Sequence, residues 1–430
     1  MADSTDQDSS LIHPIAPAEA LSRLDAAVEG DGLELVFQPI VSLPEEAVVG
    51  YEALARSHQV DDLGGTLAVL ARAAATGRQP QLDRLCIHTA IESALTAGLA
   101  PDTMLFLNSE AITPHVSRAD DEVLTRGAER LQLVFEITER SLLTDPPALL
   151  RKVAALHADG FAVAFDDVGA NLDSLALLDV ICPDVIKLDL ALVQSLPRYP
   201  QARTWAAVLD HHERAGATML AEGIETAEHL DRAMALGANL GQGFRFGRPA
   251  PLTTNRPHAV RSAPRIRTQQ QWLDIGSPFD AIAGSVPTHT ERKDTVLALS
   301  RYLEQQALDA TDPPMVLSAL QRAEFFTTAT KDQYHRLAGR CPLVAVFGQG
   351  LPADLGSGVR GFSFNVEDLL SSEWIVLTLG ATTVAAVIAR EHADNARYAR
   401  QDGDRLFEVA ITNDRALVTG VARNLLKRML

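Results

Sequence analysis

Positive charge is scarce in this chain: 38 Lys and Arg stand against 56 Asp and Glu, a formal net charge of −18 over 430 residues. Long nucleic acids are bound mainly by neutralising phosphates with Lys and Arg, so that partner class is excluded. A small anion held through metal ions stays open, because bound cations invert the local electrostatics. Thiols are sparse too. Cys86, Cys182 and Cys341 lie far apart, with neither metal-ligand nor redox spacing, and are expected to be idle and reduced. The start, MADSTDQDSS, has no basic residue and no apolar core, so no signal peptide is expected. The longest uncharged stretch, Trp374–Ala389, falls short of the roughly 20 apolar residues of a spanning helix. Its Thr378, Gly380, Thr382 and Thr383 suit two strands around a turn. The expectation is a soluble, cytoplasmic protein without membrane insertion. No internal repeat and no low-complexity tract interrupts the chain.

The apolar content, 47%, is ample for large cores, and the length predicts two or three domains. From Leu33 onward β-rich runs alternate with Ala/Leu-rich helical segments. The runs are 33–41, 48–55, 104–109, 133–139, 162–169, 184–189, 218–225 and 240–247; helices are predicted at 63–76, 147–159 and 201–215. This rhythm predicts a parallel α/β domain, and eight strand candidates over about 220 residues favour a TIM-like barrel over a doubly wound sheet. A basic, Pro-containing stretch without acids, 251–271, reads as a linker. Beyond it a second α/β rhythm predicts helices at 293–307 and 314–323, and strands at 342–348, 361–365, 373–380, 383–389 and 406–412. A closing helix from about Asp414 to Met429 is predicted, capped by Thr412 or Asn413, with Leu417, Val421, Leu425 and Leu426 as its buried stripe. The expected division is a flexible tail (1–15), a barrel domain (16–252), a linker (253–274) and a smaller α/β domain (275–430).

The informative feature is what ends the first domain's strands: Glu52, Asn108, Glu136 and Glu139, Asp166 and Asp167, Lys187 and Asp189, Glu222 and Glu225, and Gln242. With all strands of a barrel pointing the same way, these ends converge on one rim. Four or more converging carboxylates repel one another, and hard divalent cations are the natural compensators. Mg²⁺ or Mn²⁺ prefers the oxygens that Glu52, Asn108, Glu136 and Asp166 would supply. Adjacent Asp166 and Asp167 suit a two-metal centre of the kind that clamps a phosphodiester. Lys187 could orient or deprotonate the attacking water, or neutralise charge developing on phosphorus. Taken singly, Asp189, Glu139 and Glu225 equally suit loop anchors or helix caps. His211 and His212 read as solvated helix residues.

These motifs are recognisable. Over residues 20–252 the chain resembles the EAL family of cyclic-di-GMP phosphodiesterases, through FQPIV, Glu52–Ala53–Leu54 with Arg56, LFLN, FEITE, FDDVG, VIKLD, AEGIET and GQGFRFGRP in family order. The resemblance implies a TIM-like barrel that hydrolyses cyclic di-GMP to linear pGpG with two Mg²⁺ or Mn²⁺ ions. It makes Glu52, Asn108, Glu136 and Asp166 metal ligands, Asp167 a ligand of the second ion, and Glu222 part of the second-metal network. Lys187 contacts the water, Gln242 lies in the active site, Gln38 and Arg56 touch substrate, and Glu139 anchors the loop after the paired aspartates. The resemblance also implies a homodimer formed through this domain.

That loop departs from the family's usual DDFGTGYSSL, reading DDVGANLDSL over 166–175. An alternative expectation is therefore a catalytically silent cyclic-di-GMP receptor. The C-terminal part resembles the DICT domain, a sensory module, in its EWIVLTLG–TVAAVIA pair and its ending FEVAITNDRALVTGVARNLL. It is expected to regulate the barrel.

Overall fold

Val-, Ile-, Leu- and Phe-rich runs form the strands β1 (Glu34–Ser42), β2 (Ala47–Arg56), β3 (Met104–Asn108), β4 (Gln132–Thr138), β5 (Ala162–Val168), β6 (Val185–Leu188), β7 (Thr218–Ala221) and β8 (Leu240–Gln242). They close into one barrel in chain order. This computed structural model describes residues 17–138, 145–168, 175, 178–195, 199–252, 266, 276–393, 395 and 402–429. The expected tail, most of the expected linker, Glu139 and loop positions 169–174 lie outside the described residues.

The barrel corrects one expectation. Strands β2 to β8 run parallel, but β1 is antiparallel to both β2 and β8. Only residues 43–46 join β1 to β2, and a parallel return needs a crossover of a dozen residues or more. The reversal still serves the rim, because Gln38 in the middle of β1 pairs with Glu52 of β2. Two runs also end earlier than read: β7 stops at Ala221 and β8 at Gln242, so Glu222 and Glu225 follow their strand.

Alternation along each strand sorts the side chains. Ile40, Met104, Phe106, Val134, Ala164, Val185, Leu220 and Leu240 fill the barrel interior as one buried cluster. Their outward neighbours, such as Phe135, Phe165 and Ile186, pack under the surrounding helices. Helix Pro146–Ala158 shows the local logic. The Asp145 carboxylate accepts from Ala148 N, a proline occupies the first turn, and Leu149, Leu150, Val153 and Leu156 form the buried stripe. His211, read as solvated, is instead 2% exposed with Nδ1 2.8 Å from Asp179 Oδ1. Half-buried His212 contacts Ala217 O. A helix's buried face cannot be told from its wet one when both carry polar residues.

The second domain is a seven-stranded sheet of β9 (His289–Arg292), β10 (Met315–Arg322), β11 (Val344–Gln349), β12 (Arg360–Phe362), β13 (Glu373–Leu379), β14 (Val384–Glu391) and β15 (Leu406–Thr412), in the order β12–β11–β10–β13–β14–β15–β9. The segment 314–323, predicted helical, is strand β10. It lies between β11 and β13 and is buried on both faces, so its apolar run carries no alternation to distinguish it from a buried helix. Strand β9 and helix Thr328–Ala338 were not anticipated. The closing helix is Arg415–Lys427, and its cap is Asp414, whose carboxylate accepts from Leu417 N. The expected cap Thr412 instead accepts from Asp414 N through its hydroxyl. Val418, Val421, Ala422, Leu425 and Leu426 are buried, while Leu417 is half-buried.

The two sheets share a core. One apolar cluster runs from Leu149, Val180 and Ile181 on the barrel's helices, through Val421, Leu425 and Leu426, to Ile375 and Leu377 of β13. The closing helix is therefore the layer between barrel and sheet. Among the described residues no helix is long and apolar enough to cross a membrane.

Candidate active site at the barrel rim

Each of the eight strands delivers one polar residue to a layer above the apolar interior: Gln38, Glu52, Asn108, Glu136, Asp166, Lys187, Glu222 and Gln242. Glu222 follows directly on β7; the others lie within their strands. Lys187 is the centre of this layer, only 1% exposed. Its Nζ lies 2.7 Å from Glu136 Oε1, 2.9 Å from Asp166 Oδ1, 2.9 Å from Glu222 Oε1 and 3.5 Å from Glu52 Oε1. One ammonium thus faces four carboxylates.

The electrostatics follow from that imbalance. Burial opposes the charge on Lys187, but the carboxylates overcome it and hold its pKa well above the ordinary lysine value. Burial would raise Glu52 as well. The Lys187 charge, with hydrogen bonds from the side chains of Gln242 and Asn108, brings it below the usual range instead. At Glu136 burial and the charges of Glu52 and Asp166 outweigh the charge and hydrogen bond of Lys187 and drive the carboxyl well up. Burial, with Asp166 and Glu52 nearby, pushes Glu222 to about 7.

Adjacent Asp166 and Asp167 would face opposite sides of a regular strand. Here the β5–β6 register breaks between Phe165 and Val168, and Asp167 takes φ +58°, a left-handed conformation that Asp tolerates better than most residues. The result is that Asp166, Asp167 and Glu222 can each bring one oxygen within 4.8 Å of the other two. Opposite them, Gln242 Nε2 donates to Glu52 Oε2 and to Gln38 Oε1, the latter at 3.2 Å. Gly243 keeps Gln242 in place, since a Cβ there would lie 2.1 Å from Ile224 O.

Arg56 ends β2, donating to Ala55 O at 2.8 Å, and borders a cavity of about 400 Å³ that Asn108 also lines. Leu35, Leu67, Leu70, Ile87 and Leu107 give this cavity an apolar wall. Asp189 caps helix Leu190–Gln194 by accepting from Ala191 N. Glu225 is exposed, and its backbone N donates to His229 Nδ1. Neither joins the Lys187 cluster through a hydrogen bond or ion pair described here. Sequence reasoning missed the support beneath Asn108. Lys152 Nζ donates to Glu110 O and lies 3.6 Å from Asp83 Oδ2, while Asp83 accepts from Ser109 Oγ and Glu110 N. The available signal was a lysine within the apolar stripe Leu149–Val153–Leu156.

The residues fit divalent cations. Among the described residues Glu136 Oε1, Glu136 Oε2 and Asp166 Oδ1 are buried without a backbone or amide donor, and the Lys187 ammonium is the positive charge that faces them. Hard oxygen donors in surplus over positive charge are what Mg²⁺ or Mn²⁺ selects.

Fold and rim together define a TIM-like barrel with a lysine-centred, carboxylate-rich site at the strand ends. The chain belongs to the EAL domain family, whose model matches residues 21–249, and carries a C-terminal DICT domain, described as a sensory domain in diguanylate cyclases and two-component systems, matched over 282–392. It is similar to the cyclic di-GMP phosphodiesterase NbdA of Pseudomonas aeruginosa, at 28% identity over 260 residues, covering 58% of this chain and 33% of the relative. It is likewise similar to the probable cyclic di-GMP phosphodiesterase PdeG of Escherichia coli, at 30% over 246 residues, covering 54% and 47%. The chain thus spans a third to a half of the length of these relatives. Among solved structures, the PaMucR phosphodiesterase in complex with c-di-GMP aligns at 27% identity with a TM-score of 0.46, over 54% of this chain and 97% of that one.

Proposed function

We propose that the rim hydrolyses cyclic di-GMP to linear pGpG. The observation that carries this reading is the Lys187 cluster: one buried ammonium among four carboxylates from four strands, a surplus of negative charge suited to divalent cations and through them to a phosphodiester. The names of the curated relatives support the choice of substrate. Glu52, Asn108, Glu136 and Asp166 would hold one Mg²⁺ or Mn²⁺ ion, and Asp167 with the Glu222 network the second. Bound there, such ions lower the pKa of water and neutralise charge on phosphorus. Lys187 stays protonated among its carboxylates, so its part is to orient the attacking water and stabilise charge on the phosphoryl oxygens, not to take a proton. The water oxygen joins phosphorus, one ring P–O bond breaks, and the leaving oxygen takes a proton. Gln38, Gln242 and Arg56 position the phosphodiester, and the apolar cavity beside Arg56 receives a guanine.

The expected domain limits (16–252 and 275–430), a homodimer formed through the barrel domain, cytoplasmic operation and control by the C-terminal domain are parts of the same proposal. Incubating the full chain with cyclic di-GMP and Mg²⁺ or Mn²⁺, then separating the nucleotides, tests it. The expected product is pGpG, abolished by a chelator. Binding without product at high protein concentration, with either metal, would make the protein a receptor instead.

A further inference from the structure

A cavity larger than the one beside Arg56 lies away from the rim. It occupies about 720 Å³ in the second domain, between helix Lys293–Asp309, helix Thr328–Ala338 and the face of the sheet carrying Leu320, Trp374 and Val376. Its size lies within the range of small-molecule sites. Leu297, Leu320, Phe325, Trp374 and Val376 make its wall apolar and aromatic. Into this lining comes one buried acid, Glu304, 7% exposed. Among the described residues no Lys, Arg or His pairs with it. Its hydrogen bond is with the Tyr334 hydroxyl, whose oxygen lies 2.6 Å from Ser318 Oγ.

A desolvated carboxyl without a counterion costs stability, and folds retain such groups where something completes them. Burial pushes this one up to about 7, with the Arg301 charge only partly offsetting it. At the mouth, Lys293 is already bonded to Asp402 and lies over the Phe325 ring, while Arg301 and Arg336 are exposed. The interior therefore combines aromatic faces with one unpaired acid, a pairing that suits an organic cation through ion-pair and cation–π contacts.

We propose that this cavity binds a small organic amine with an aromatic or apolar body, its ammonium placed on Glu304 and its body against Trp374 and Phe325. The site is independent of the rim and of the reaction proposed there.

Calorimetric titration of the full chain at pH 7.5 with three probes sharing an indole body tests this. Tryptamine carries an ammonium, tryptophol a hydroxyl and indole-3-acetate a carboxylate. Tryptamine should bind at least tenfold more tightly than tryptophol, and indole-3-acetate more weakly than either. In Glu304→Gln, tryptamine should fall to the tryptophol level while tryptophol is unchanged, which also shows that the variant is folded. Equal binding of all three would reduce the site to an apolar hole. Preference for indole-3-acetate would assign it to the mouth arginines and overturn the proposal, as would failure of tryptamine to bind at millimolar concentration.

Discussion

Arg415 Nη1, on the closing helix, lies 2.7 Å from Asp179 Oδ2 on the barrel, 236 residues earlier in the chain. The same guanidinium donates to Gly380 O and Ala381 O, at the turn between β13 and β14. Asp179 also takes His211 Nδ1 at 2.8 Å and Arg214 Nη1 at 2.9 Å, and Arg423 donates to its backbone carbonyl. Its helix, Leu178–Ile181, stands between the paired-aspartate strand β5 and the lysine strand β6. The contact therefore ties the second domain to the segment linking two rim strands. Burial opposes the Asp179 charge, but His211 and the arginines hold the carboxyl far below the usual range. Its stabilisation is present above the ordinary Asp pKa and is lost as pH falls through the lowered one.

Arg415→Ala should cost about 1.5–3 kcal/mol, the range for a hydrogen bond to a charged group. A double-mutant cycle with Asp179→Asn, followed by urea unfolding at pH 7, should show coupling of about 1 kcal/mol or more. Additive effects would mean that the pair contributes no interaction energy.

Because barrel and sheet share one apolar cluster, Leu425→Ala should lower the stability of both, by about 2–5 kcal/mol. Hydrogen exchange at β6 and at β13 should accelerate together. Acceleration at β13 alone would show that the two sheets unfold independently. A chain ending near Pro251 would bare the barrel side of this cluster and should aggregate.

Lys187→Met should lower kcat by about 10²–10³ while changing cyclic di-GMP affinity less than tenfold. Glu52→Ala should abolish turnover and leave the barrel folded by circular dichroism. Near-normal turnover in Lys187→Met would remove its role at the phosphodiester.

Lys152→Met leaves Asp83 buried without its ammonium, at a cost of about 3–5 kcal/mol, and frees the Ser109–Glu110 backbone beside Asn108. The melting temperature should drop, and saturation of turnover should require more metal. Unchanged metal dependence would make the network purely structural.

Glu304 gives the second domain a pH response. Its neighbours are Arg301 on its own helix, Tyr334 on the facing helix and Ser318 on β10. With the folded pKa at about 7 and an ordinary value near 4.5, its contribution is complete below pH 4.5 and lost as pH rises through 7. At roughly 1.4 kcal/mol per pKa unit, the loss amounts to about 3 kcal/mol. Urea unfolding between pH 5 and 8 should show this decline, and Glu304→Gln should flatten it.

Much of the site was legible because strand ends are local. A Val/Ile/Leu-rich run that carries a polar residue near its end marks a rim position, and Glu52, Asn108, Glu136, Asp166 and Lys187 could be named from this alone. Segment 314–323 was not legible, because a strand buried on both faces loses the period that distinguishes it from a helix. The Asp83–Lys152 support was legible only by half: Lys152 in an apolar stripe was a signal, but its partner comes from a helix far away in sequence.

By itself the sequence determined the alternation of strand and helix, the polar residue each strand carries upward, and the sparse positive charge that leaves those acids in surplus. Tertiary structure decided that β1 runs backwards yet brings Gln38 level with Glu52. It also decided that a bulge turns Asp167 beside Asp166, and that one lysine reaches four carboxylates. It alone decided that Arg415 meets Asp179, because pairing across 236 residues depends on how two sheets pack on one helix, which no local pattern encodes.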